Sequence, residues 1–423
     1  MSLSYFRRLA WLPVTTFCLF VCSTSSLAAM TSAQAQTLAR HAAIVAQALT
    51  ANPEIQAARA SLEAIQARLG GAGLPLYNPE LELEAERTDI NTFSVGIRQT
   101  LDWHAKQDTQ ERLMRAELAA AQAQLAALQL RKTAALLQAL GGIRLHQEIA
   151  RLSRRRSEIL ERFTSLAEQR HRVGDIPQAE MELARLSLAE AVMQHASFGA
   201  ELIQAQSDFF RLSGRSLQSP PPFPQALPAS LPGNADAVAL ARQHPQVLAA
   251  HLTAQAMRQG VQAEDRQRRA DPTIGLRAGQ EDRDNLLALS LAMPLQVRND
   301  FRSRVDSARA QALKAEQEAL QVLRSVHARL QAARERYDLI ARAWSLWSSQ
   351  GRSSLQLRIE LLEAQWQAGE MNTTDYLLQV RQTLDTQISG TRLQGDLWNA
   401  WIEWLSASGA LATWLNSTTA ASG

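Results

Sequence analysis

Acidic side chains standing just past a glycine in an otherwise helical stretch are the residues whose type and spacing could do something specific. Gly369 is followed six residues on by Asp375, and Gly174 by Glu180. Carboxylates that converge on an axis select cations and narrow a pore, whereas an acid in the first turn of a helix complements the helix dipole. Both readings of Asp375 stand. Gly174 and Gly369 themselves read as left-handed helix stops. His244 and His251 lie two helical turns apart and can share a face, yet no thiol or carboxylate completes a metal set around them. Arg151, Arg154, Arg155, Arg156 and Arg162 read as a solvated helix face. Gly-x-Ser-x-Gly, a phosphate loop and His-Glu-x-x-His are all missing from the sequence. The expectation is therefore a protein that is not an enzyme and needs no cofactor or metal.

The elements that must hold those turns in place begin with two ribbons. Leu81, Leu83 and Ala85 alternate with Glu82, Glu84 and Glu86, and then Phe93, Val95 and Ile97 alternate with Ser94, Gly96 and Arg98. After Asp271-Pro272 the pattern returns: Ile274 and Leu276, a polar break at Asp282 to Asn285, then Leu287, Leu289, Leu291 and Met293. Period-two alternation predicts two β-hairpins, each with one apolar face. Arms of about ten residues are what a tilted strand needs to cross a bilayer's hydrocarbon layer, although ordinary strands reach that length too. Four strands cannot close a barrel, and an open edge cannot sit in lipid with unpaired backbone groups. Membrane insertion thus requires several copies, and three would supply twelve strands.

Around the ribbons the chain reads as helix. Ala, Leu, Gln, Arg and Glu dominate, as in long helices. Leu113, Ala116, Ala120, Ala123, Ala127, Leu130, Ala134, Leu137 and Gly141 alternate steps of three and four, and Phe301, Val305, Ala308, Ala312, Ala315, Ala319, Val322 and Val326 do the same. These are heptad seams of a left-handed coiled coil. The run from His104 to Val173 makes one helix of roughly 105 Å, too long for a globular domain. A first helix from about Thr31 to Leu69, stopped by Gly70-Gly71 with Gly73 and Pro75, and another from Asp175 to Ser213 together match that length and are expected end to end beside it. Trp344, Trp347, Trp398, Trp401 and Trp404 are expected to pack together where they meet.

The same unit is written twice. Asn52-Pro53-Glu54-Ile55 recurs as His244-Pro245-Gln246-Val247, Asn78-Pro79 as Asp271-Pro272, and Val173-Gly174-Asp175-Ile176 as Ala368-Gly369-Glu370-Met371. Residues 29–213 form a first repeat with hairpin 79–102 and tip turn 173–177, and residues 234–415 a second with hairpin 272–297 and tip turn 368–374. Between them 214–233 is a Pro-rich extended connector, and 416–423 is a small, polar, disordered tail. Residues 1–28, with Arg7 and Arg8 ahead of an apolar run, read as a secretory signal. Cys18 and Cys22 both fall within it, so the mature chain has no disulfide framework. Lys and Arg number 44 against 41 Asp and Glu, too even a balance to imply nucleic acid.

Taken together, the Pro-led hairpins, the Pro294-Leu295-Gln296-Val297-Arg298-Asn299 stretch and the paired Gly-x5-acid turns resemble the outer-membrane efflux proteins of the TolC family. The Arg298-Asn299 exit is similar to the branch serving cobalt-zinc-cadmium pumps. That resemblance implies a mainly α protein: a homotrimeric channel of four strands per chain, a 12-stranded barrel in outer-membrane lipid of a Gram-negative bacterium, and a coiled-coil helical tunnel in the periplasm. It implies a periplasmic adaptor and an inner-membrane resistance-nodulation-division pump as partners, with the adaptor at the tips Val173, Gly174, Asp175, Ile176 and Pro177 and at Gly369, Glu370 and Met371. Asp375 matches a pore-narrowing acid, while Leu378 stands where a second is usual. The cargo would be heavy-metal cations or other toxic solutes. The alternative from another class is a soluble periplasmic coiled-coil adaptor or scaffold, against which the apolar strand faces argue.

Overall fold

The computed structural model describes residues 32–88, 91–224, 227–228, 230–231 and 237–416. The expected signal segment and the tail beyond Asn416 lie outside the described residues, as do parts of the connector. Helix α1 (Ser32–Ala51) is followed at once by α2 (Pro53–Ala72). The expected single helix is therefore broken at Asn52, because Pro53 has no amide proton to donate and Asn52, in an extended conformation, caps the new helix. Of the expected stop residues Gly70 and Gly71 stay within the helix despite their weak propensity, about 1 kcal/mol each, and Gly73 caps it after Ala72.

Strands β1 (Glu80–Arg87), β2 (Asn91–Thr100), β3 (Thr273–Glu281) and β4 (Asp284–Ala292) form one antiparallel sheet in sequence order. The second hairpin is tighter than its sequence suggests. Asp284 and Asn285 belong to β4, and only Asp282 and Arg283 make the turn, with Asp282 at φ 51°. The Asp282 carboxylate accepts from the Asn91 amide, and the Asp282 amide donates back to the Asn91 carbonyl. β4 stops at Ala292, short of Met293, since Pro294 cannot continue the ladder.

Helix α3 (Lys106–Arg172) is the mast of the molecule. Towards the strands it packs against α2 and against α6 (Pro245–Gln267), which in turn packs on α7 (Arg302–Leu346). Towards the turns it packs against α4 (Gln178–Ser213) and α9 (Thr373–Ser408), the latter beside α8 (Arg352–Gln367). Short α5 (Ala237–Gln243) and α10 (Leu411–Asn416) lie at mid-height. No residue of the two Ala-rich seams is fully exposed, as a coiled-coil interface requires. The second mast differs from the first: a π-helical turn, Trp347–Gly351, separates α7 from α8.

Where the short helices meet end to end, two matching clasps hold them. The Asn52 side-chain oxygen accepts from the Glu54 and Ile55 amides while its Nδ2 donates to the Leu212 carbonyl at 3.1 Å, on the last turn of α4. His244 does the same for α6: Nδ1 accepts from the Gln246 amide at 3.2 Å and Nε2 donates to the Ser406 carbonyl at 3.0 Å, on the last turn of α9. Only a neutral imidazole can do both. Burial, and secondarily Arg329, hold the His244 pKa below the ordinary 6.5 against the opposing pull of Ser406. The unfolded chain therefore binds the proton first on acidification. Stability carried by His244 is complete above pH 6.5 and declines below it. His244→Asn should keep the clasp and flatten that part of the melting-temperature profile between pH 7 and 5, whereas His244→Ala should cost about 1 kcal/mol at pH 7.

The main core lies at this level. Leu136, Leu137, Leu140 and Ile143 of α3 pack with Trp398, Trp401 and Ile402 of α9, Tyr337 of α7 and Leu411 of α10. Trp344, Trp404 and Trp414 flank it. Trp347 does not join: its ring fills the notch over Gly390, where a Cβ would stand 2.3 Å from it.

Candidate functional site

The ribbon's two faces are chemically opposite, and the strand register makes each continuous. Leu81, Ile97, Leu276 and Leu289 form one row across all four strands, and Leu83, Val95, Ala278 and Leu287 form the next. Phe93, Ile274 and Leu291 extend the same face, and its large side chains are 41% to 78% exposed. On the other face Arg98 pairs with Glu80 and Glu82, and Arg277 with Glu84. Gly279 permits close approach there, since a Cβ would lie 2.0 Å from the Phe93 carbonyl oxygen. β1 and β4 are both edges. One face this apolar together with two open edges is a surface that marks an interaction site, and such edges would be left unpaired in lipid.

At the opposite end lie the two tips, with one geometry. The Gly174 amide donates to the His171 carbonyl and the Asp175 amide to the Arg170 carbonyl; the Gly369 amide donates to Trp366 and the Glu370 amide to Gln365. Each glycine is left-handed, at φ 79° and 77°, so both are Schellman stops. Val173, Asp175, Pro177 and Glu370 are exposed, while Ile176 and Met371 pack partly onto the cluster of Phe163, Trp366 and Tyr376. Adding a Cβ at either glycine strains the backbone although space is free. Gly174→Ala or Gly369→Ala should each cost about 1–2 kcal/mol, read as a lower melting temperature.

Asp375 sits in the first turn of α9, exposed. Its amide donates to Asn372 Oδ1 at 2.8 Å and its carboxylate accepts from Asn372 Nδ2 at 2.8 Å, so it closes a reciprocal cap. Arg170, which sequence reasoning passed over, joins the tips: its guanidinium lies 4.5 Å from the Trp366 ring centre, donates to the Gln367 carbonyl at 3.2 Å and faces Asp175 at 3.7 Å.

The arginine run is corrected at one position. Arg151, Arg154 and Arg162 are exposed, but Arg156 is buried and donates to Gln194 of α4 at 2.8 Å and Asp385 of α9 at 3.1 Å. Arg381 adds a bond to Glu190 at 3.1 Å, so the network ties three helices. The signal for it is the three-four stripe of Ile149, Leu152, Ile159 and Phe163, which sets Arg156 on the buried side of α3. Of the histidines, His244 caps α6, and among the described residues no cluster of three or more His, Cys, Asp or Glu could hold a metal.

The outer helices carry unused seams. Leu186, Ala189, Met193, Ala196, Ala200, Ile203, Ser207 and Phe210 follow a three-four spacing along α4, all exposed. Ala57, Ala60, Ala64, Ala67 and Gly71 do so along α2. Leu313, Leu320, Leu339 and Leu346 lie exposed on α7, which packs on α6 and α9. Heptad seams need a partner helix. No described helix is long and apolar enough to cross a membrane.

No protein-family model matches the sequence, and no curated protein aligns with it. Solved structures do share its fold. The CmeC outer membrane channel of Campylobacter jejuni superposes with a TM-score of 0.73 at 14% identity, over 91% of this chain and 89% of its own. CusC, described for its transmembrane channel formation, gives 0.71 at 15%, over 89% and 92%. The outer membrane protein VceC of Vibrio cholerae gives 0.70 at 16%, over 88% and 96%.

Proposed function

From the fold that it shares with outer-membrane channels, we propose that this chain is one third of a passive exit duct of the TolC kind, closing with two further copies into a twelve-stranded barrel above a helical tunnel. The observation that carries this is the ribbon: a continuous apolar outer face, a charged inner face and two unsatisfied edges. The exposed seams on α2 and α4, with the exposed leucines of α7, support head-to-tail closure of the helical part. The matching clasps, tips and hairpins support an internal duplication of residues 29–213 as 234–415, joined by the connector 214–233.

In this reading Leu81, Leu83, Phe93, Val95, Ile97, Ile274, Leu276, Leu287, Leu289 and Leu291 face outer-membrane lipid. Solute passes through water, so the duct needs no chemistry of its own, and energy comes from an inner-membrane pump through a periplasmic adaptor at the two tips. Asp375 is assigned to the pore's narrow end, and the Arg298-Asn299 exit favours heavy-metal cations as cargo over other toxic solutes. The test is purification and reconstitution. Recovery from the outer membrane only with detergent, as trimers that conduct in planar bilayers, is the expected result; recovery as soluble monomer would refute the duct. Asp375→Ala should reduce cation preference, and unchanged conductance and selectivity would remove Asp375 from the pore.

A further inference from the structure

Building on the duct reading, we infer that the open ribbon edges of neighbouring copies pair in one register, with Leu291 of β4 opposite Leu83 of β1 on the partner. The argument starts from the one seam the chain contains. β2 and β3 come from different hairpins, and they meet with Ile97 opposite Leu276, Arg98 opposite Gly275 and Val95 opposite Ala278. The two hairpins are superposable in register. Counted from Pro79 and Pro272, Glu82 corresponds to Gly275; their cross-strand partners Gly96 and Ser290 then correspond, as do Arg98 and Ala292. If every hairpin meets the next as these two do, Leu291 takes the part of Ile97 and the partner's Leu83 that of Leu276. Leu289 then faces the partner's Ala85, and Met293 the partner's Leu81.

Three further observations agree with this alignment. It places Met293, Leu291 and Leu289 beside apolar residues of the partner and only Leu287, at the hairpin end, beside a charged one, Arg87, whereas a slip of one residue would set Leu291 beside a glutamate. The path across the sheet also closes sensibly. From Leu83 it runs through Val95, Ala278 and Leu287 and arrives at the partner's Arg87, four residues further along β1. Repeated over three copies, that stagger tilts the strands by about 35° for a rise of about 3.3 Å and a spacing of about 4.8 Å, within the range of membrane barrels. Registers two residues shorter or longer give about 19° and about 46°. Lastly, the Leu101 amide donates to the Pro272 carbonyl at 2.9 Å just beyond the internal seam. The corresponding donor is Leu295 and the acceptor the partner's Pro79, which covers Leu295 and Val297, 81% and 87% exposed in the single chain.

Cysteine pairs read the register directly. Leu291→Cys is combined in turn with Leu81→Cys, Leu83→Cys or Ala85→Cys, each variant is purified in detergent and oxidised, and covalent trimer is quantified; the parent, with Cys18 and Cys22 only, is the control. Facing positions are about 5 Å apart and diagonal ones about 7–8 Å, so the Leu83 combination should crosslink roughly fivefold more than either neighbour, given the short reach of a disulfide. Intact trimers whose strongest crosslink falls at Leu81 or Ala85, or at none of the three, overturn the register and leave the duct standing. Absence of any trimer on a native gel removes the register and the duct together.

Discussion

Trp398→Ala should destabilise the protein by about 3–5 kcal/mol, the largest effect expected of any single truncation in the helical body. The indole is 1% exposed and belongs to the main core. Its N–H donates to the Leu137 carbonyl at 2.9 Å, and its ring lies 5.3 Å from His41, 5.8 Å from Phe223 and 6.0 Å from Trp414. One side chain thus joins α1, α3, the connector and α10 to α9. Truncation leaves a cavity among helices too long to relax together. Trp398→Phe should cost less, about 1–2 kcal/mol, through loss of the indole's added hydrogen bond to the Leu137 carbonyl and of part of its packing. The reverse change is equally informative. A Cβ on Gly141 would stand 2.3 Å from the Trp398 ring, so Gly141→Ala should destabilise by about 1–3 kcal/mol. Thermal melts of the detergent-solubilised protein order the three variants; a Trp398→Ala melting temperature equal to the parent's would mean that mid-height is not the structural hub.

Leu289→Arg should prevent stable membrane assembly, at about 2–4 kcal/mol in each copy if it lies near the bilayer midplane. Leu289 stands in the middle of the apolar row with Leu81, Ile97 and Leu276 and is 78% exposed. The control is its neighbour. Ser290 points to the other face, in line with Gly275, Arg98 and Glu80, so Ser290→Arg adds the same charge at the same depth but towards water. Outer-membrane yield should fall severely for Leu289→Arg and stay near the parent's for Ser290→Arg. Equal yields for the two would show that the apolar face does not meet lipid.

Much of this architecture is legible in the residue pattern, because period and punctuation are local. Alternation at Leu81 to Glu86 and at Leu287 to Leu291 specifies ribbons with two unlike faces. Three-four spacing from Leu113 to Gly141 specifies a coiled-coil mast, and Gly174 and Gly369 mark the ends of the first and second masts. Failures arose where long-range contacts compete with local preference. Trp347 leaves its fellow tryptophans for the notch over Gly390, and the second mast takes a π-turn.

The sequence by itself determined which stretches are strand or helix, which strand face is apolar and where the helices turn back, since neighbouring side chains and backbone sterics decide those matters within a few residues. Only the tertiary structure decided that Arg156 turns inward to Asp385, that His244 clasps Ser406, and that β2 lies beside β3 in a register leaving β1 and β4 open. All three depend on segments more than a hundred residues apart in the chain, and the partner of a long polar side chain is set by what surrounds it after folding, not by its neighbours in sequence.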